Sequence, residues 1–506
     1  MGGPREGLEP LRVLLVNPPR FHELIGKNPA LVERHRGHNP PLGLLQLAGY
    51  VERHTSHRVE VLDAQPDGIT YSQLERELAG RQFDVLGVTA MTFTLTDVRY
   101  TCRVAKKVKP HVPVVLGGVH VHLYPNETIA WPEVDFLIQG EGEIAFADFL
   151  NKLRRPDLHA TVDGLVYTDP SGTVRNNGIA PSTDDLDQLG MPAREKVDVR
   201  KYTSLLGRHD VVTTMFTSRG CPYRCTFCDR PNSPVTSGFR WRSAKNVADE
   251  MERCVDLGIR EAFIYDDTFT VRKDRVYELC DEIRKRRIHL AWDVRAHVNT
   301  VTRGMLRSMA EAGCDRIHFG VEVGNERMMR VIRKNHTIER VENAFRWARE
   351  AGLERLAYAI IGQQTEGAED IRDTMTLVRR IDPDYVLFTI FCPYPGTEIY
   401  AQGLERGIIE KDVWGEFARE PRSDFELPVW EENFTRAQLR EMLVKCYKSF
   451  YMRPGYVFRR VRQLRSLGEL GRKLRAAMSV VWMSPNERVF TRRVAAAAHG
   501  RPGSSA

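Results

Sequence analysis

Arg219-Gly220-Cys221-Pro222-Tyr223-Arg224-Cys225-Thr226-Phe227-Cys228 places three cysteines within eight residues, directly after the strand-like run VVTTMF at 211–216. Gly220 and Pro222 keep this stretch out of regular structure, and three thiols so close together cannot all point into an apolar core. A shared metal centre accounts for them. A structural zinc site wants a fourth Cys or His at paired spacing, and the nearest candidates, His209 and Cys254, lack it. Iron–sulfur clusters are held by thiolates, and three thiolates leave one iron of a 4Fe-4S cluster open to an outside ligand.

Working outward, the run at 211–216 is the first of six strand-like segments, followed by 261–265, 290–294, 316–321, 355–361 and 385–391, with helical sequence such as 244–257 and 272–286 between them. Six β/α units predict an open six-stranded (β/α)6 barrel, whose sites lie at the strand carboxyl ends. The cysteine loop stands at the first such end. Upstream, RVLLV (12–16), RVEVL (58–62), DVLGVT (84–89), VPVVL (112–116) and VDFLI (134–138) alternate with amphipathic stretches at 42–53, 71–79, 96–108 and 143–153. This predicts a doubly wound five-stranded parallel sheet with its ligand beyond the carboxyl ends.

The chain therefore divides into a first α/β domain (10–163), a turn-rich linker with a small hairpin (164–204), a barrel (205–430), a helical and basic C-terminal region (431–498) with helices at 435–452 and 456–481, and a disordered tail (499–506). The net charge of +7 is uneven, because the residues from Tyr451 onward carry eleven Arg and one Lys against two Glu. Basic character is thus a property of the tail and gives no reason to expect nucleic acid at the catalytic body. Nine scattered cysteines are unlike a secreted disulfide framework. With no leader-like segment and no long apolar run, the expectation is a cytoplasmic protein.

The cysteine stretch resembles the cluster motif of the radical S-adenosylmethionine (SAM) superfamily at every defining position. By that resemblance Cys221, Cys225 and Cys228 hold a 4Fe-4S cluster whose open iron chelates SAM, and one electron cleaves SAM to methionine and a 5'-deoxyadenosyl radical. The resemblance also implies roles at later strand ends. Phe227 lies near adenine; Asp266 and Asp267 contact the methionine amino group, unless the pair is a helix cap. Arg295 pairs with the SAM carboxylate, unless it is a surface arginine. Glu322 in Gly320-Val321-Glu322-Val323-Gly324 serves the ribose or amino group, and Gly362, with Glu366 after it, runs along adenine. That fifth-strand match is partial, since Tyr358 or Ala359 replaces the first glycine.

No Gly-x-Gly-x-x-Gly follows any strand of the first domain, which argues against a nicotinamide or flavin dinucleotide. Instead Asn17-Pro18-Pro19, Pro41-Leu42-Gly43-Leu44, the Gly117-Gly118-Val119-His120 loop and Gly140-Glu141-Gly142-Glu143, followed by the cysteine triplet, look like the cobalamin-binding radical SAM class. The resemblance implies that Gly117, Gly118, Val119, His120, Gly140, Glu141 and Gly142 border a cobalamin held in a Rossmann-like domain with its cobalt facing SAM. No Asp-x-His-x-x-Gly follows the first strand, and Asp157-Leu158-His159 is only a near match. Cobalamin is thus expected without a histidine ligand, with His120 and His122 as packing or hydrogen-bonding residues.

The chemistry this class implies is methyl transfer to an unactivated carbon of a small-molecule or lipid-like substrate, with a reducing partner such as flavodoxin or ferredoxin. Radical oxidative cyclisation or ring rearrangement is the alternative. A nucleic-acid modifier is disfavoured because the first domain has only Cys102, and a non-catalytic cobalamin sensor would bind cobalamin without cleaving SAM. The basic stretch 456–481 either touches anionic lipid peripherally or packs one face on the protein.

Overall fold

The β-branched runs of the first domain form β1 (Arg12–Asn17), β2 (Arg58–Asp63), β3 (Val85–Thr89), β4 (Val114–Gly117) and β5 (Phe136–Ile138), all parallel, in spatial order 2-1-3-4-5. The computed structural model describes residues 9–24, 37–230, 233, 238–462 and 483–484. Alternate residues of β1 enter separate cores, Val13 and Leu15 on one face, Leu14 and Val16 on the other. A sheet buried on both faces needs such continuous apolar strands. The order reverses at β1, which opens a crevice above the carboxyl ends of β1 and β3.

The sheet is wider than the five strands predicted. β6 (Leu165–Thr168) and β7 (Val174–Asn176) add an antiparallel hairpin beside β5. They form the small hairpin expected in the linker stretch; what the turn residues Asp169 to Gly172 mask is that its buried run Leu165, Val166 and Tyr167 joins the sheet beside β5. The rest of that stretch is a packed strap. Ala193 N–H donates to the Leu45 carbonyl, and Arg194, 1% exposed, enters the barrel to donate to Thr213 Oγ1 at 2.8 Å and to Glu250 Oε1 at 2.5 Å.

The second sheet contains β8 (Val212–Met215), β11 (Glu261–Ile264), β12 (Ala291–Ala296), β13 (Cys314–Glu322), β14 (Glu354–Ile361) and β15 (Tyr385–Ile390), all parallel and in sequence order from one edge to the other. Between β8 and β11 stands a ribbon too short to read from sequence, β9 (Ser218–Arg219) against β10 (Arg240–Trp241). Two further helices, Glu398–Glu405 and Val413–Arg419, lie in the stretch before Pro428. They return to the first domain, where Trp131 Nε1 donates to the Ala418 carbonyl and the Tyr124 hydroxyl to Asp412 Oδ1.

Helix Arg436–Tyr451 covers the barrel edge at β15. The Tyr451 hydroxyl accepts from Val386 N–H at 3.0 Å and donates to its carbonyl at 2.8 Å. Helix Pro454–Arg462 follows, with Arg453 and Arg459 paired to Asp382 and Arg460 to Asp384. The remainder of the basic stretch to 481 and the tail 499–506 lie outside the described residues. Among those described, no helix is long and apolar enough to cross a membrane.

The strap fixes its own test. A Cβ on Gly49 would stand 2.4 Å from the Met191 carbonyl oxygen, a backbone atom with little freedom to withdraw. Gly49→Ala is expected to cost about 1–3 kcal/mol through overpacking, read as a fall in thermal midpoint.

Candidate functional site

The chain leaves β8 under tight control. Asp266, fully buried, accepts from Thr217 N–H (2.6 Å) and hydroxyl (2.5 Å) and from Ser218 N–H (3.0 Å) and hydroxyl (2.6 Å). Arg275 adds its guanidinium to the same cluster through the Thr217 hydroxyl. Asp267 then takes the next donor, Gly220 N–H at 3.2 Å, and pairs with Arg230 at 3.0 Å. Burial pushes the Asp267 carboxyl above its ordinary range despite Arg230. The cysteine loop therefore starts from an anchored backbone.

Cys221, Cys225 and Cys228 are free thiols, with Cys221 Sγ 3.5 Å from the Thr268 hydroxyl and Cys228 N–H donating to the Cys225 carbonyl. Thr226 links the loop to the barrel in both directions, donating to the Ile332 carbonyl and accepting from Ile399 N–H. Burial raises the Cys225 thiol and pushes Cys228 up to about 12, so a metal that binds these thiolates must displace their protons. Among the described residues no three His, Cys, Asp or Glu side chains gather as around a single ion. Three unpaired thiols on one anchored loop suit a cluster, in which each thiolate takes a different iron.

Around the loop, a register shift between Gly320 and Glu322 in β13 redirects Glu322, which adopts φ +62° and holds Lys334 Nζ at 2.9 Å. Burial would lower the Lys334 ammonium, but the Glu322 carboxylate beside it raises it. Its Nζ lies 5.8 Å over the Phe227 ring. Tyr223 stacks on His297 at 3.9 Å. Inside the barrel, the Arg295 guanidinium sits 4.2 Å over the Tyr265 ring and bonds Tyr358, whose hydroxyl is 2.8 Å from His318 Nδ1. Just past the end of β14, Gly362 and Gln363 donate their N–H groups to Glu366.

A cavity of about 370 Å³ lies between the carboxyl ends of the first sheet and the neck of the cysteine loop. Gly43, Gly117, Gly118, Val119, Gly140, Glu141 and Gly142 line it from one side, and Phe216, Arg219, Gly220 and Asp267 from the other. The glycines fall into two kinds. Gly118 (φ +112°) and Gly140 (φ +103°) are required by their own backbone and by the close approach of Ala90 and Ala180. A Cβ on Gly43 would meet no described atom from beyond its own helix within 4 Å, and one on Gly117 only the Ile138 carbonyl at 3.9 Å. Gly43 is the second residue of helix Leu42–His54, where glycine costs up to about 1 kcal/mol relative to alanine, and no contact among the described residues explains it. Close approach of a broad ligand does, and Phe216, 43% exposed, offers that ligand an apolar face.

The structure redirects three sequence expectations. Asp266 uses both oxygens on Thr217 and Ser218 and is not among the residues that line the cavity. Glu141 spends its carboxylate on Arg219 (3.0 Å) and Arg240 (2.6 Å); burial would raise its carboxyl, yet the two arginines hold it below the ordinary range. His120 does not border the cavity but is the packing and hydrogen-bonding residue also expected: it is fully buried, with Nδ1 at 3.1 Å from the Thr92 hydroxyl and burial lowering it to about 3. His122 does line the cavity, accepting Gly140 N–H on Nδ1 at 3.1 Å. His159 is packed among Phe136, Phe149 and Tyr167, away from the site. Lys334, Arg219 and Arg240 were not singled out by sequence, and Tyr358 was noted only as a replacement for a motif glycine. Only Arg219, inside the cysteine stretch, carried a signal.

Glu366 yields a pH signature. Burial lifts its carboxyl to about 7, outweighing the two N–H donors, and its Oε1 has no partner among the described residues. Between its ordinary value and about 7 the folded protein holds a proton that the unfolded chain releases, so this group's contribution to stability falls as pH rises through that window. The expected loss is at most about 3 kcal/mol. Buried histidines such as His120 titrate with the opposite sign, so the signature is a difference: between about pH 5 and about pH 8 the natural protein should lose more stability, or gain less, in urea denaturation than Glu366→Gln does.

Residues 215–378 match the family model described as the Radical SAM superfamily, and residues 30–150 match that of the B12 binding domain. The chain is 31% identical over 450 residues to an uncharacterized methyltransferase of Pyrococcus horikoshii, spanning 88% of this chain and 93% of that one. It is 25% identical over 432 residues to the anaerobic magnesium-protoporphyrin IX monomethyl ester cyclase of Rubrivivax gelatinosus, spanning 83% and 75%. In architecture it resembles the radical SAM methyltransferase TsrM from Kitasatospora setae, solved with cobalamin and a 4Fe-4S cluster, at a TM-score of 0.63 and 21% identity over 79% of this chain and 76% of that one. Kinship along nearly the whole chain, with the two matched halves meeting at one cavity, makes this protein a member of the cobalamin-dependent radical SAM enzymes.

Proposed function

We propose that this enzyme methylates an unactivated carbon of a small-molecule or lipid-like substrate, using a 4Fe-4S cluster, SAM and cobalamin. The observation that carries the reading is a shared wall. Ser218, Arg219 and Gly220, which lead into the cysteines, line the same cavity as Gly43 and Gly117 of the first domain. Radical formation and methyl delivery need that proximity. When bound, the cluster supplies the electron that cleaves SAM and cobalamin carries the methyl group.

The chain's own contribution is binding and orientation. Cys221, Cys225 and Cys228 would hold the cluster and leave one iron for SAM. Arg295, whose guanidinium lies against the Tyr265 ring and the Tyr358 hydroxyl, suits the SAM carboxylate. Asp267 remains the acidic group for the methionine amino end, and Glu322, already paired to Lys334, would serve the ribose or amino group through that pair. Phe227 and the Gly362 backbone would flank adenine. Gly117, Gly118, Val119, Gly140 and Gly142 would border cobalamin, with no histidine offered to cobalt by His120. Electrons would come from a flavodoxin or ferredoxin. Arg453, Arg459 and Arg460 are engaged by Asp382 and Asp384, which supports packing on the barrel over lipid contact by these three.

Oxidative cyclisation is the second reading, favoured by the cyclase relative. Product mass separates the two: SAM with a labelled methyl group should transfer that label to product as 5'-deoxyadenosine forms, and product without it overturns the methyltransferase reading. Cys225→Ala should abolish both signals. Gly43→Ala should act in opposite directions on the two states, stabilising the unloaded protein by up to about 1 kcal/mol while weakening hydroxocobalamin binding. Thermal melts and equilibrium dialysis read the two effects separately.

A further inference from the structure

Arg219 and Arg240 face each other across the β9–β10 ribbon that closes the neck of the cysteine loop. Like charges directly opposite on paired strands repel, and two residues of pairing supply little to oppose that. What holds the neck comes from the other sheet. Glu141 binds both arginines, and Glu143, in the first turn of helix Gly142–Lys152, binds Arg219 at 2.5 Å. Arg240 also donates to the Thr183 carbonyl of the strap. The two glutamate side chains are only 8% and 7% exposed, against 25% for Arg219, so water does little to screen the carboxylates of the cluster.

We propose that Glu141 and Glu143 are positioning residues for the cluster-bearing loop, acting through Arg219 and Arg240, and are not contacts to the ligand of the cavity they line. The first domain in this way holds the place where the radical is made. Asp266 fixes the same neck from the barrel side through Thr217 and Ser218. The loop is gripped by both sheets. The inference rests on the reading of Cys221, Cys225 and Cys228 as cluster ligands.

The test uses the full chain, reconstituted anaerobically with iron and sulfide and loaded with hydroxocobalamin, as natural protein, Glu141→Gln, Glu143→Gln and the double variant. Three quantities are measured: the electron paramagnetic resonance spectrum of the reduced cluster with and without SAM, hydroxocobalamin affinity, and the rate of 5'-deoxyadenosine formation. The double variant should broaden the SAM-bound cluster spectrum and slow 5'-deoxyadenosine formation roughly 10- to 100-fold, each single variant less, with hydroxocobalamin affinity within about threefold of the natural protein. Retained affinity also certifies that the first domain is folded. Should the double variant fail to fold, the single variants decide by the same spectrum. An unchanged spectrum and rate overturns the proposal, as does weakened hydroxocobalamin binding with an unchanged spectrum, which would place the glutamates on the ligand. A natural protein without any cluster signal would instead overturn the assignment of the cysteines.

Discussion

One buried carboxylate sets the terms for the rest of the site. Asp266 takes the backbone and hydroxyl donors of two successive residues, and hydrogen bonds to a charged acceptor are each worth about 1.5–3 kcal/mol. The exit of the chain from β8 is thereby fixed in direction, so the cysteines that follow present their thiols at the carboxyl end of the barrel. A loop containing Gly220 and Pro222 has no ladder of its own to do this. Function is thus placed on an irregular segment by a rigid one, in keeping with the general division of labour between loops and scaffolds.

Much of this was legible in the residues. The β-branched runs of both sheets, the helices between them and the cysteine spacing are strong periodic signals, and the observed strands overlap the expected ones. The hidden parts are those whose signal is shorter than a period or depends on direction. A two-residue ribbon leaves no pattern. Asp266 and Asp267 read as an equivalent pair, yet adjacent residues leaving a strand point to opposite sides, so one serves the protein and the other faces the cavity. Glu141 looked like part of a glycine-rich ligand loop because sequence does not reveal that two arginines about 80 and 100 positions later arrive beside it. Lys334 sits in a basic loop stretch where nothing distinguishes a buried ammonium from a solvated one.

The glycines make the same point in energetic form. Gly118 and Gly140 would be glycine in any protein with these turns, whatever it bound, since their backbone and neighbours exclude a side chain. Gly43 is different: it weakens its own helix and gains nothing visible from the described chain. A motif can therefore mix residues kept for folding with residues kept for a ligand, and only the space around each separates them.

Tyr451 carries a consequence of another kind. Its hydroxyl serves Val386 as both donor and acceptor, the part a neighbouring strand's peptide group would play. β15 is an edge strand, and an uncovered edge is a template for pairing with other chains. The helix that supplies this cover follows all six barrel strands in the chain and is therefore made after them. During synthesis the barrel therefore waits with one side open, and the protein's vulnerability to misassembly is concentrated in the interval between the ribosome's passage over β15 and the docking of residues 436–451.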